Sequence, residues 1–464
     1  MQESSISNFI DEYSASGMLR LHMPGHKGAF GNDFDITEVT GADSLYEAEG
    51  VILESENKTS EIFKARHTYY GTEGSTQMIK AMCSLAVRNA GSEKIAIAAS
   101  RNAHKSFIHA AMLLDFDIIW LPSEDEDYSL CRSIVTPEGL KRFLESDAGK
   151  KDIAAVYITS PDYLGNMLDV RGLAEVAHSF GKMLLVDNAH GAYLKFIDRT
   201  DGLERDVTDL HPITLGADMA VDSAHKTLPV LTGGAYLHIS KNSPEFSDTD
   251  IRDTLLMFGS TSPSYLILRS LDEMPERVSK ELYMECAEKV TGVKKALENS
   301  GWRFSGDEPL KMTFDLSELK VSGKELLAIL HDKGIECEYA DRDYLVTMWS
   351  PYLPEDAYET FTKVMKDISA DMLKPADSEK TKLSFRLPEV VCSPREVMYK
   401  NHETREVSDD LIGLIAADTY MGCPPAVSPV VAGEKITKEI VDILKYYEVK
   451  RTNIIAEEKY GSKR

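Results

Sequence analysis

The sequence predicts an α/β fold: a mostly parallel central sheet with helices on both faces, followed by a smaller α+β C-terminal domain. Three observations lead there. Short apolar, β-branched runs recur between residues 63 and 239, helices with apolar spacing of three and four separate them, and beyond residue 300 the pattern changes to helices mixed with antiparallel-looking strands. Apolar runs alternating with amphipathic helices mark strands buried on both faces.

Taken in order, Met78, Met82 and Leu85 fall on one face of a helix at 74–88. Residues 94–99 read as a short buried strand, 105–114 as a helix and 117–121 as a strand. Pro137 stands in the first turn of a helix at 137–146, where its missing N–H breaks no bond. The run 153–159 is a buried strand, and 171–180 is a helix closed by Gly181. Strands at 183–186, 218–221 and 234–239 complete the series. Residues 264–300 read as one long helix or a broken pair. Elements at 311–316, 322–333, 335–348, 354–372 and 437–447 then form the smaller domain. The expected division is an N-terminal arm at 1–45, a large cofactor-binding domain at 46–285 and the C-terminal domain at 286–464.

With 464 residues, 43% hydrophobic and 28% charged, the chain can bury a sizeable core in two or three domains. A net charge of −24 argues against a nucleic-acid partner. The polar start, Met1 to Gly17, does not read as a signal peptide, and no apolar run is long enough to span a bilayer, so the expected compartment is the cytosol and no membrane partner is expected. Six cysteines stand singly, without metal-type spacing, which fits reduced thiols and no metal site.

Four polar clusters fall after expected strands or at a helix start, where ligands of such sheets bind. Lys226, in Asp222-Ser223-Ala224-His225-Lys226-Thr227, can form a Schiff base with an aldehyde cofactor, while Ser223 and His225 offer a hydroxyl and an N–H to a phosphate. Asp187 heads Asp187-Asn188-Ala189-His190-Gly191 at a strand end, where a carboxylate can keep a pyridine nitrogen protonated. Gly74, Ser75 and Thr76 open a helix, whose free N–H groups and dipole suit an anion. His104, in Arg101-Asn102-Ala103-His104-Lys105-Ser106, can stack on a planar ring. Each cluster alone has an ordinary explanation: a polar turn, a capping residue, a loop histidine. In this order they supply the phosphate cradle, stacking ring, pyridinium partner and lysine that a pyridoxal 5′-phosphate enzyme needs.

Further segments join them: His22-Met23-Pro24-Gly25-His26-Lys27-Gly28, residues 41–50 with Asp43, Leu45 and Tyr46, Ser262-Pro263-Ser264-Tyr265, and Cys423-Pro424-Pro425-Ala426-Val427-Ser428-Pro429 followed by Ala432-Gly433-Glu434. Together these blocks, from about residue 20 to 435, resemble the ornithine/lysine/arginine decarboxylase family of fold-type-I, aspartate-aminotransferase-like pyridoxal-phosphate enzymes. The resemblance implies that Lys226 carries the cofactor, Asp187 pairs with its ring nitrogen, and His104 and Ala189 lie against the two ring faces. It implies that Ser75, Thr76, Ser223 and His225 hold the phosphate, with Gly74 and His190 completing the site. It also implies homodimers or higher oligomers with shared active sites, in which Thr261 and Ser262 reach the neighbouring subunit's cofactor.

Four positions depart from the family's usual residues: Asn188 for Glu, Tyr193 for His, Glu73 for Asn, and Gly233 for Gln after Thr232. The chain also reads as a short form, without the receiver-like N-terminal domain of long members. The implied activity is decarboxylation of arginine, lysine or ornithine to the corresponding amine and CO₂. The fold also hosts aminotransferases, lyases and aldolases.

Overall fold

The computed structural model describes residues 5–91, 95–125, 128–198, 208–368, 372, 383–417 and 428–456. Seven strands form the central sheet: β1 (His67–Gly71), β2 (Ala96–Ala99), β3 (Asp117–Trp120), β4 (Ile153–Thr159), β5 (Met183–Asp187), β6 (Met219–Asp222) and β7 (Ala235–Ile239). Their spatial order is β1-β7-β6-β5-β4-β2-β3. The pairs from β3 through β6 are parallel, and β7 runs antiparallel to both of its neighbours. Every position of β4 and β5 is buried, which is why both read as unbroken apolar runs.

The helices in chain order are α1 (Ser5–Ala15), α2 (Val51–Phe63), α3 (Gly74–Ala90), α4 (Lys105–Leu114), α5 (Pro137–Glu145), α6 (Val170–Ser179), α7 (Ala224–Thr227), α8 (Asp248–Met257), α9 (Tyr265–Arg277) and α10 (Lys280–Glu298). Alternate strand residues serve opposite faces. Ala155, Tyr157 and Leu185 join the apolar core with Met78, Met82 and Phe107 of α3 and α4. Val156, Ile158, Leu184 and Val186 join a second core with Leu140, Phe143 and Leu173 of α5 and α6. The expected stretch 264–300 is the broken pair: Pro275 removes a donor from the last turn of α9, and the Ser279 side chain accepts from Leu282 N–H at 3.2 Å to start α10.

Strand β1 has no counterpart among the expected strands, because His-Thr-Tyr-Tyr-Gly looks too polar for a buried position. Its polar atoms are satisfied internally: Thr68 bonds His238 Nδ1 at 2.9 Å, and the Tyr70 hydroxyl meets Thr59 Oγ1 at 2.7 Å. The smaller domain holds an antiparallel sheet of β8 (Phe304–Ser305), β9 (Lys311–Asp315), β10 (Tyr339–Ala340) and β11 (Tyr344–Met348), in the order β10-β11-β9-β8. Helices α11 (Gly323–Asp332), α12 (Ala357–Lys366), α13 (Pro394–Met398) and α14 (Lys438–Tyr446) follow, with the pair β12 (His402–Glu406) and β13 (Arg451–Ile455). Among the described residues, no helix is long and apolar enough to cross a membrane.

A buried ion pair ties the last part of the chain to the loop after β2. The Arg101 guanidinium donates from both Nη atoms to the two oxygens of Glu434, each at 2.7 Å, and both residues are at most 3% exposed. Trp120 Nε1 and the N–H of Val431 also donate to Glu434, and Arg101 Nε donates to Ser428 O. The guanidinium lies 4.6 Å from the Trp120 ring centroid. Removing one partner leaves a desolvated charge, so Glu434→Gln is expected to cost about 3–5 kcal/mol, read from urea unfolding. A loss below about 1 kcal/mol, the range of an exposed pair, would contradict a clamp at this position.

Candidate active site

The site is built on the carboxyl ends of β4, β5 and β6. Sheet register sets Thr159 beside Asp187 and Asp187 beside Val221. Helix α7 follows β6 directly and carries Lys226, whose Nζ lies 3.1 Å from His190 Nε2. The charge of Lys226 is close enough to influence Asp187, His104, His190 and His225. Five sequence-predicted residues from three separate segments are therefore linked through this one charge. Ala189 joins them, its N–H donating to Asp187 Oδ1 at 3.2 Å.

Asp187 is 2% exposed and accepts a second hydrogen bond from the Tyr157 hydroxyl at 3.0 Å. Burial raises its pKa above the usual carboxylate value, against the pull of Lys226 and Tyr157. Burial likewise lowers His190 well below an ordinary imidazole, assisted by the Lys226 charge.

The expected anion cradle lies at the start of α3. Gly74 adopts φ 68°, a conformation that favours glycine, and its N–H bonds Gly233 O at 2.8 Å. Gly233, with φ 101°, leaves no room for a side chain: a Cβ there would stand 2.8 Å from Thr72 O. Ser75 and Thr76 then occupy the first turn of a 17-residue helix that has no acidic residue in that turn. Ser223 is fully buried, and its hydroxyl has no hydrogen-bond partner among the described residues; the same holds for Thr227 Oγ1, His190 Nδ1 and Asn188 Oδ1. Buried polar atoms in this state are met by water or by a polar ligand, and hydroxyls beside a helix start suit a phosphate.

His225 stands in the same turn as Ser223: its Nδ1 donates to Gly234 O at 2.9 Å, and burial lowers its pKa. Thr261 and Ser262 are exposed, and among the described residues no hydrogen bond or ion pair joins them to the other site residues. Cys423 to Val427 of the closing motif lie outside the described residues.

Asp222 is a site residue that sequence reasoning passed over. Wholly buried, it accepts from Asn188 Nδ2 at 2.6 Å, His211 Nε2 at 3.0 Å and His238 Nε2 at 3.1 Å. Burial works against its charge, yet the two histidines hold its pKa below the usual carboxylate range. The Asn188 departure now has a physical reason: a carboxylate at 188 would face the anion of Asp222, whereas an amide donates to it.

The ligand-type atoms of His211, Asp222 and His238 lie within 4.8 Å of one another, close enough to suggest a metal. Hydrogen bonding fills that place instead. The Ile213 N–H donates to His211 Nδ1, so His211 carries its proton on Nε2 and points it at Asp222.

Tyr163 and Glu338 were also missed, because nothing in the local sequence links them. The Tyr163 ring stands edge-on to His190, with centroids 5.0 Å apart, and its hydroxyl donates to Glu338 Oε1 at 2.6 Å. Tyr339 packs edge-on to the same tyrosine at 5.3 Å. Tyr193, the second departure, docks the smaller domain: its hydroxyl donates to Glu308 Oε1 at 2.5 Å and accepts from Leu310 N at 3.1 Å.

Burial, assisted by the Lys226 charge, lowers His104 from 6.5 to about 3. Between those values the unfolded chain binds a proton that the folded one does not, so stability falls as pH drops below 6.5. At pH 5 the penalty is about 1–2 kcal/mol after allowance for partial exposure. Urea unfolding of cofactor-free protein at pH 8 and pH 5 should therefore show a smaller acid loss in His104→Phe than in wild type, by that amount. Equal losses would contradict a neutral, buried His104.

Residues 9–315 match the family model of the Orn/Lys/Arg decarboxylase major domain. The arginine decarboxylase of Bacillus subtilis (strain 168) is 26% identical, covering 95% of this chain and 93% of its own length. Among solved structures, the Francisella novicida lysine decarboxylase LdcF superposes with a TM-score of 0.78 at 16% identity, covering 98% of this chain and 81% of that one. Lysine decarboxylase A of Pseudomonas aeruginosa gives 0.78 at 16%, with 98% and 80% covered. These likenesses give the fold, fold type I with its mostly parallel sheet and smaller C-terminal domain. With two thirds of its length matched by that model, the chain belongs to the Orn/Lys/Arg decarboxylase family.

Proposed function

We propose that the protein is a pyridoxal-5′-phosphate-dependent decarboxylase of a basic amino acid, releasing CO₂ and the corresponding amine from arginine, lysine or ornithine. One observation carries the reading: the amine of Lys226 acts by its charge on both the carboxylate of Asp187 and the ring of His104, beside a buried Ser223 hydroxyl that has no partner among the described residues. Lys226 would hold the cofactor covalently, Asp187 would meet its ring nitrogen, and Ser75, Thr76 and Ser223 would hold its phosphate. His104 and Ala189 would lie against the ring. Bound there, the cofactor supplies an aldehyde and an electron-accepting ring.

The chain's own residues bind, orient and move protons. Glu338 is exposed, held by Tyr163 one ring away from His190, and offers a carboxylate to the distal ammonium or guanidinium of the substrate. Lys226 Nζ and His190 Nε2 share a hydrogen bond. Because burial disfavours a charged His190, a proton held between them stays available at Nζ. When CO₂ leaves, the electron pair of the broken C–C bond takes up that proton at the substrate carbon.

The same proposal includes a homodimer or larger oligomer. Met18, Leu19, Leu21 and Phe30 of the N-terminal arm expose between 66% and 95% of their surface, and a second copy of the chain would cover them. Sedimentation that shows a monomer at micromolar concentration would remove this part.

The function is tested by CO₂ release from carboxyl-labelled arginine, lysine and ornithine in parallel. At least one should release label stoichiometrically with amine formation. Consumption of substrate without labelled CO₂ would replace decarboxylation by another reaction of this fold. Glu338→Gln should raise KM for the preferred substrate about tenfold to a hundredfold, with kcat changed far less. An unchanged KM would exclude Glu338 as the reader of the distal charge.

A further inference from the structure

We propose that Ser106 is a positioning residue: it fixes which nitrogen of His104 carries the proton, and it couples that ring to the phosphate-binding hydroxyl of Thr76. The inference rests on the cofactor assignment above for its consequence, but not for its geometry.

Ser106 is 1% exposed and sits in the first turn of α4. His104 is the N-cap of that helix, a place where Ser, Thr, Asp and Asn are the usual residues. A cap must accept a hydrogen bond, and His104 does so through Nδ1, which receives the N–H of Ser106 at 3.3 Å. The Ser106 hydroxyl stands 2.8 Å from the same Nδ1 and 3.1 Å from Thr76 Oγ1. An Nδ1 that accepts from the helix start cannot also carry a proton. His104 is therefore the neutral Nε2–H form. A cationic ring would also be disfavoured here, at the positive end of α4 and near Lys226.

This arrangement suits the assigned role. A ring lying over a protonated pyridine should be neutral, since a second cation would oppose the charge that Asp187 maintains. The Ser106 hydroxyl has one proton and two neighbouring acceptors. The Ser106 hydroxyl donates to Thr76 Oγ1, which leaves the Thr76 proton free to donate to a phosphate oxygen, while His104 Nδ1 accepts the backbone N–H of Ser106. One hydroxyl thus adjusts both the cradle on α3 and the ring on α4.

The test uses the full chain and two readouts. In cofactor-free protein with ¹⁵N-labelled histidine, with the His104 resonances identified by their loss in His104→Gln, wild type should show a bare Nδ1 and a protonated Nε2. In Ser106→Ala the Nδ1 resonance should move, because the hydroxyl 2.8 Å from it is lost. Second, dissociation constants for pyridoxal 5′-phosphate and for phosphate-free pyridoxal are measured on both proteins. Ser106→Ala should weaken the phosphate-bearing ligand about fivefold and leave pyridoxal unchanged. Should Ser106→Ala not fold, as judged by circular dichroism, Ser106→Cys replaces it and is read the same way.

A wild-type Nδ1–H form, an unmoved Nδ1 resonance, or equal weakening of both ligands would each overturn the proposal. A wild type that binds neither ligand while showing the bare Nδ1 would instead sink the cofactor assignment and the coupling with it, leaving the tautomer standing.

Discussion

Asp187 and Asp222 end neighbouring strands of the central sheet, each at most 2% exposed, and the residues around them follow from the need to stabilise two carboxylates away from water. A buried carboxylate persists only with hydrogen-bond donors or an opposite charge. Asp222 takes three side-chain donors from within the core: Asn188, His211 and His238. Asp187 takes two, from Tyr157 and Ala189, and has the Lys226 charge nearby. The two anions thus divide the labour. Asp222 is saturated by the protein and organises the loop after β5, while Asp187 keeps a raised proton affinity suited to a ligand nitrogen.

That constraint explains residues that look unrelated along the chain. Asn188 follows Asp187 in the chain and donates its amide to Asp222, so its identity is set by the charge next door. His211 and His238, far apart in sequence, meet at 5.1 Å edge-on because both must reach Asp222. Phe63 packs over both imidazoles, at 5.0 and 4.3 Å, which seals the network from solvent. Farther out, the Arg101–Glu434 clamp and the Tyr193–Glu308 contact hold later segments of the chain against the loops after β2 and β5. The shape of the site therefore depends on the smaller domain as well as on the sheet.

Much of this was legible in the sequence. The buried strands at 153–159 and 183–186 announced themselves because parallel strands covered on both faces are apolar throughout. The lysine, the aspartate and the helix-start hydroxyls were legible because each sits at a fixed place relative to a strand or helix end. What escaped were partnerships between distant positions. Strand β1 escaped because its polar side chains are satisfied by β7 and α2. Asp222 was in view as part of the lysine segment, but its role depends on histidines 11 and 16 residues away, visible only once β6 and β7 pair. Arg101 and Glu434 each stood in a recognised block, 333 residues apart, and nothing local joins them. The bond from His225 Nδ1 to Gly234 O likewise depends on the chain folding back through Gly233 and Gly234.

The central claim is that Lys226 is the amine that carries the cofactor. Purified protein incubated with pyridoxal 5′-phosphate, reduced with borohydride and digested, gives a direct answer by mass spectrometry. The account predicts one stoichiometric phosphopyridoxyl adduct, on the peptide containing Lys226. A label absent from that peptide, or spread over surface lysines without preference for it, would contradict the account.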